Sequence, residues 1–311
     1  MRKILSIDGG GIRGIIPATL IAQIERRTKK PAAELFDLIV GTSTGGILAL
    51  CLSVADEDGK PRYSARELLA IYEKRGRDIF SRSFWQGMTS VGGLADEKYS
   101  DKGLETVLEE YLGDLQLQHA LTNTLVTAYD IHSRDTVFFK SWKAEHQSVL
   151  MRDAARATAA APTFFKPARI NMQNKRVPLI DGGVFINSPA VSAYAEAKRI
   201  FPGETEFLLI SLGTGELTRK IDYSDAADWG KAGWLLPLMS SMFDGVADAT
   251  HYQMGHFLGD NYYRFQTDLT KGNDDMDDAS QANIDALKNL GKNLVRRNKD
   301  NIDALCRRLV G

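Results

Sequence analysis

Apolar positions along this chain fall into short strand-length blocks, each closed by glycines and followed by a longer helical block. Residues 4–7 read as a buried strand and Asp8-Gly-Gly-Gly11 as a tight turn. Residues 15–26 read as a helix carrying Ile16, Leu20, Ile21 and Ile24 on one stripe. Pro17 falls in the first turn of that helix, where a missing N–H breaks no intrahelical bond. The unit then repeats, with a strand at 35–40, a turn at 41–45 and a wholly apolar helix at 46–54. Two consecutive strand, glycine turn, helix units predict an α/β fold with a parallel sheet, its functional turns at the carboxyl ends of the strands.

Helices are predicted at 65–77 and 102–112. Between them lies an irregular insertion at 80–99 with Phe84, Trp85 and Met88. Strands at 123–129 and 136–142 pair around His132-Ser-Arg-Asp135, and an alanine-rich helix at 150–161 stops at Pro162. A strand at 177–183, a helix at 189–199 and a strand at 206–212 ahead of Gly213-Thr-Gly215 continue the alternation. From about residue 222 the chain is charged and mostly helical. Without repeats, low-complexity tracts or a linker, residues 1–311 are expected to form one domain, with 216–311 a mostly helical, regulatory part.

Lysine and arginine number 39 against 40 aspartate and glutamate, so no overall field draws in a nucleic acid polymer or an anionic membrane. Two cysteines, Cys51 and Cys306, exclude a disulfide framework and a cysteine-rich zinc site, and point to a reducing compartment. The first residues enter a strand without a signal-peptide pattern, and the longest apolar stretch, 45–55, is about half of the roughly 20 residues a spanning helix needs. A cytoplasmic protein is expected, touching membranes only peripherally. The acidic run Asp274–Asp278 lacks the spacing of a calcium loop and reads as a solvated loop; no metal and no organic cofactor is expected.

Gly41-Thr-Ser43-Thr-Gly45 matches G-x-S-x-G between a predicted strand and a predicted helix, the context in which a serine is held strained and exposed as a nucleophile. Read structurally, the same residues are a glycine-rich turn with an N-cap serine. Asp8-Gly9-Gly10-Gly11-Ile12-Arg13-Gly14 also satisfies G-x-G-x-x-G, so a nucleotide-binding regulatory protein using the Gly9–Gly14 loop is an alternative. Against it, Asp37 sits early in its strand and not at the end where a ribose would be held. The stronger reading directs the backbone N–H groups of Gly10 and Gly11 at the space above Ser43, as donors to an oxyanion. Arg13 either steadies that loop, meets an anionic head group, or is a solvated helix-start residue. None of the five histidines lies in a strand-end turn, whereas Asp181 does, ahead of Gly182 and Gly183. A carboxylate delivered there can take the Ser43 proton directly. A triad esterase with Ser43, Asp181 and His251 or His256 is the second enzymatic alternative. Phe80, Phe84, Trp85, Phe164 and Phe165 either line an acyl groove or pack in the core.

The three motifs, in this order, resemble the patatin-like phospholipase family over roughly residues 3–215. The resemblance implies a three-layer α/β/α fold with a mainly parallel sheet, and a Ser43–Asp181 dyad with the Gly9, Gly10, Gly11 loop as oxyanion hole. It implies hydrolysis of phospholipid or other acyl-lipid esters through an acyl-serine. Ala155–Pro162, Thr163-Phe-Phe165 and Asn187-Ser-Pro189 are similar to further family segments. Thr158 stands where the family often has serine, a departure expected not to touch the dyad. This compact form is also similar to bacterial effectors switched on by cyclic dinucleotides in antiphage defence. That implies an activator near Lys231, Arg264, Lys271, Arg296 and Arg297, and a change in homo-oligomeric assembly or in access to Ser43.

Overall fold

The structure is a computed structural model and describes residues 1–79, 101–173, 175–218, 220–270 and 275–311. Its centre is one sheet: β1 (Arg2–Ile7), β2 (Leu38–Gly41), β3 (Asn123–Asp130), β4 (Asp135–Lys140), β5 (Ala168–Met172), β6 (Lys175–Asp181), β7 (Phe207–Leu212) and β8 (Tyr262–Phe265). The order is β5-β6-β3-β2-β1-β7-β8, with β4 pairing β3. Four of these seven pairings are parallel, and the antiparallel ones all involve β3 to β6.

Side chains alternate across the central strands, and each face takes its own layer of helices. Leu5, Ile7, Ile39 and Val126 point into a large core shared with α1 (Ile15–Thr28), α2 (Thr44–Leu52), α3 (Ala65–Ile79), α4 (Asp101–Leu112) and α5 (Met151–Thr158). Ile4, Leu38, Val40, Leu125 and Leu209 point the other way. They pack on Ala190, Ala193 and Ala197 of α6 (Ala190–Ile200) and Met254 of α7 (Lys231–Leu258). This is the expected three-layer α/β/α arrangement. Because α2 is apolar all round, it is buried on nearly every side, as its sequence requires.

The predicted strand at 35–40 begins only at Leu38, because Ala32–Leu35 first makes a helical turn. The predicted helix at 150–161 ends at Thr158, and the freed Ala160 carbonyl accepts the N–H of Asp181 at 3.0 Å. The C-terminal third, expected to be mostly helical, also supplies β8, which extends the sheet beside β7. It returns as α8 (Gln281–Arg297) and α9 (Lys299–Val310), whose Ile284, Leu287, Ile302 and Leu305 enter the same core as α1. Cys51 and Cys306 are both free and buried, and burial pushes the Cys51 thiol up to about 12.

Candidate active site

Strand β2 runs through Gly41 and Thr42 into Ser43, which adopts φ 55° and ψ −126° before α2 begins at Thr44. That conformation is disfavoured for a residue with a Cβ, and its retention requires the flanking structure to hold it. The two motif glycines let strand and helix cross at contact distance. A Cβ on Gly41 would lie 2.0 Å from the Gly45 carbonyl oxygen, and one on Gly45 2.3 Å from that of Ile7. The Ser43 N–H donates to Thr158 Oγ1 at 2.8 Å. Thr158 was expected to leave Ser43 and Asp181 untouched; instead its hydroxyl anchors the Ser43 backbone.

Asp181 reaches Ser43 by a feature of sheet topology. Residues 125–130 of β3 pair with β4 along one edge, so the other edge is shared: β2 occupies it up to Val126, and β6 from Asp130 back to Ala128. β2 is parallel to β3 and β6 antiparallel, so the two strands run toward each other and their carboxyl ends, Gly41 and Asp181, meet head on. Ser43 and Asp181 line one cleft, where the Ser43 hydroxyl interacts with the Asp181 carboxylate, and Asp181 Oδ1 accepts the Gly183 N–H at 2.7 Å. Asp181 is 4% exposed. Its burial pushes the carboxyl up to about 7, against the opposing pull of the Ser43 and Gly183 hydrogen bonds. Gly182, buried beside it, packs against Thr127 of β3.

The glycine loop after β1 is tied down at several backbone atoms. Asp8 N–H donates to Leu212 O at 3.0 Å, Gly9 N–H to Asn187 O at 3.0 Å and Ile12 N–H to Met276 O at 2.8 Å, while Thr214 Oγ1 donates to Gly9 O at 2.6 Å. The Gly9 N–H is therefore occupied, which corrects its expected place among the oxyanion donors. The N–H groups of Gly10 and Gly11 have no acceptor among the described residues, and both glycines line the cleft that holds Ser43. Gly11 has φ +58°, and a Cβ there would meet the Met276 carbonyl oxygen at 2.1 Å. Arg13 is buried, not solvated; its Nε donates to Gly10 O at 3.3 Å, which makes it a brace of the loop. Beneath the loop Asp8, 1% exposed, pairs with Arg264 at 2.8 Å, and Arg264 also donates to Ser211. Arg264 is thereby withdrawn from the expected phosphate partners. Arg296 and Arg297 are exposed, whereas Lys271 lies outside the described residues.

Ser43, Asp181, Gly10 and Gly11 open onto an apolar cleft lined by Ile12, Ile47, Tyr72, Leu104, Phe164, Phe165, Phe243 and Met276. Phe164 and Phe165 thus take the groove-lining role, while Phe80, Phe84 and Trp85 lie outside the described residues. Among the described residues no histidine lines the cleft. His251 and His256 are exposed on α7, beside Tyr262 and Tyr252 respectively. The acidic run is not a solvated loop as expected: Asp277 is buried and the Met276 carbonyl accepts the Ile12 N–H of the glycine loop. Among the described residues no cluster of metal-ligating side chains forms, and no helix is long and apolar enough to cross a membrane. Sequence reasoning missed Thr214, Met276 and Phe243, and gave Arg264 a phosphate instead of Asp8 as its partner; all four meet the site only through long-range folding. The segment Asn187-Ser-Pro189, noted only as a family-like stretch, was the one signal pointing to the Gly9 acceptor.

Residues 5–194 match the family model described as patatin-like phospholipase. Patatin-like protein 2 of Oryza sativa subsp. indica is 33% identical over 348 residues, covering 97% of this chain and 86% of that protein. Patatin-17 of Solanum cardiophyllum is 33% identical over 337 residues, covering 96% and 84%. Among solved structures, VipD from Legionella pneumophila aligns with a TM-score of 0.41 at 16% identity, over 94% of this chain and 67% of that one. Serine elbow, facing aspartate, glycine loop and a family match over most of the fold lead to one assignment: the chain belongs to the patatin-like phospholipase family of lipid acyl hydrolases.

Proposed function

We propose that the chain hydrolyses phospholipid acyl esters with Ser43 and Asp181 as a catalytic dyad. The observation that carries this reading is the Ser43 side chain set in one cleft with the buried carboxylate of Asp181, whose pKa burial pushes up to about 7. Ser43 Oγ attacks the acyl carbonyl carbon as its proton passes to Asp181, and the oxyanion is met by the Gly10 and Gly11 N–H groups. Collapse expels the alcohol, which takes the proton from Asp181. Water, deprotonated by Asp181, then attacks the acyl-Ser43 ester; collapse releases the fatty acid as Ser43 Oγ takes the proton back from Asp181. The acyl chain lies along Ile47, Phe164 and Phe165, where burial of methylenes contributes about 0.8 kcal/mol each.

The exposed positions of His251 and His256 speak against the triad, and the closed Gly9 N–H with its Asn187 partner speaks against a dinucleotide loop. No observation among the described residues favours a cyclic-dinucleotide activator. The test is steady-state kinetics on a water-soluble fluorogenic ester. Ser43→Ala and Asp181→Asn should each lose about 10⁴-fold or more in turnover, and the double variant little beyond that, because the two act as one unit. An equal loss in His251→Ala or His256→Ala, with the fold intact by circular dichroism, would replace the dyad by the triad.

A further inference from the structure

The turn that follows β7 reaches the glycine loop from behind. Gly213 N–H donates to Phe265 O at 2.9 Å and Gly215 N–H to Gln266 Oε1 at 2.8 Å, so residues at the end of β8 hold both sides of Thr214. The two glycines admit this packing: a Cβ on Gly213 would lie 2.4 Å from the Gln266 carboxamide, and Gly215 has φ +100°. Thr214 itself is 3% exposed, and its hydroxyl donates to Gly9 O at 2.6 Å. A hydroxyl buried in this way often does no more than satisfy a carbonyl. Here the carbonyl has a second duty, because Gly9 O and the Gly10 N–H are two ends of one rigid peptide plane.

No peptide bond among the described residues is cis, so the Gly10 N–H points opposite to the Gly9 carbonyl. A donor fixed behind Gly9 O therefore fixes the direction of the N–H in front. The next plane repeats the arrangement: Gly10 O accepts Arg13 Nε at 3.3 Å, and the opposite end of that plane is the Gly11 N–H. Gly10 and Gly11 both line the cleft with Ser43, and neither N–H has an acceptor among the described residues. Consecutive glycines offer little resistance of their own to rotation of these planes, since no Cβ restricts φ and ψ. We infer that Thr214, which stands outside the cleft, is a positioning residue for the oxyanion: its hydroxyl orients the Gly9–Gly10 peptide and, by polarising it, strengthens the Gly10 N–H as a donor. The inference rests on the acyl-serine chemistry proposed above, and it gives the turn at 213–215 a task in that chemistry.

The test compares Thr214→Val, which keeps the shape and removes the donor, with Thr214→Ser, which keeps the donor. On a water-soluble ester, Thr214→Val should lose about tenfold to 100-fold in kcat with KM within about twofold, a smaller loss than removing an oxyanion donor outright, and Thr214→Ser should recover most of it. Affinity for a trifluoromethyl ketone, whose adduct with a serine carries the oxyanion, should fall in proportion to kcat/KM. Thr19→Val, which removes a comparably buried hydroxyl-to-carbonyl bond inside α1, should leave kcat within about twofold of the parent. An unchanged kcat in Thr214→Val, an equal loss in Thr19→Val, or no recovery in Thr214→Ser overturns the inference. Should Thr214→Val fail to fold, Thr214→Ser and Thr214→Ala, which differ only by the hydroxyl, make the same comparison. The Gly10 amide resonance of protein carrying isotope-labelled glycine reads the brace without turnover: it should shift in Thr214→Val and return in Thr214→Ser. Undiminished hydrolysis in Ser43→Ala would strike the acyl-serine reading and leave that resonance to judge Thr214, an unmoved resonance overturning the inference.

Discussion

Replacing Asp181 with asparagine separates what the carboxylate does for catalysis from what it costs the fold. Burial raises its pKa from 3.8 to about 7. Between those values the folded chain holds a proton that the unfolded chain releases, so stability falls as pH rises from about 4 to about 7 and is level above that. At 1.36 kcal/mol per unit, a displacement of about three units corresponds to about 4 kcal/mol lost at pH 8, and only about 1 kcal/mol at pH 4.5. Asparagine keeps an acceptor for the Gly183 N–H and cannot ionise. In urea unfolding followed by circular dichroism, Asp181→Asn should therefore exceed the parent by about 4 kcal/mol at pH 8, the difference shrinking toward about 1 kcal/mol at pH 4.5. The parent's kcat/KM on a soluble ester should rise about tenfold per pH unit up to about pH 7 and then level, because only ionised Asp181 accepts the Ser43 proton. A stability difference that does not change with pH, or a rate already level at pH 5, would refute the reasoning. Asp181 would then titrate as an ordinary carboxylate.

Three further outcomes follow from the same geometry. Gly10→Ala would place a Cβ 2.3 Å from Thr214 Oγ1, displacing the hydroxyl that holds Gly9 O; turnover should drop about 100-fold to 1,000-fold with KM little changed, read by steady-state kinetics. Thr158→Ala leaves the Ser43 N–H without its acceptor and should cost about 1–3 kcal/mol in urea unfolding, while Thr158→Ser restores most of it. Arg264→Met strands the buried Asp8 charge and should destabilise by about 3–5 kcal/mol, with Asp8→Asn in the same chain recovering part of the loss, measured by thermal melts at matched pH.

What the sequence made legible was whatever a local pattern could encode. Ile4 to Ile7, the apolar run around Leu50 and the glycines about Ser43 announce strand, buried helix and elbow because each needs only its neighbours to make sense. The chain could not announce pairing. That β6 meets β2 head on along β3 depends on pairings between strands far apart in sequence, such as Gly41 with Val126 and Ala128 with Asp181, so Asp181 was legible as a strand-end carboxylate but not as a neighbour of Gly41. β8 was missed because Tyr262-Tyr-Arg-Phe265 carries a charge in its middle, and that charge is buried only because Asp8 waits opposite. α7 gave no clear period because its first half is apolar on an exposed face. The glycine loop was legible in composition, yet the sequence could not say that Asn187 takes the Gly9 N–H and Met276 that of Ile12.

The central claim, that Ser43 becomes acylated, is tested most directly by trapping. The protein is treated with a fluorophosphonate, which forms a stable adduct with an activated serine, and its peptides are mapped by mass spectrometry. The account predicts a single adduct on the peptide containing Ser43, abolished in Ser43→Ala and strongly slowed in Asp181→Asn. Labelling of another residue, or undiminished ester hydrolysis in a folded Ser43→Ala chain, would contradict it.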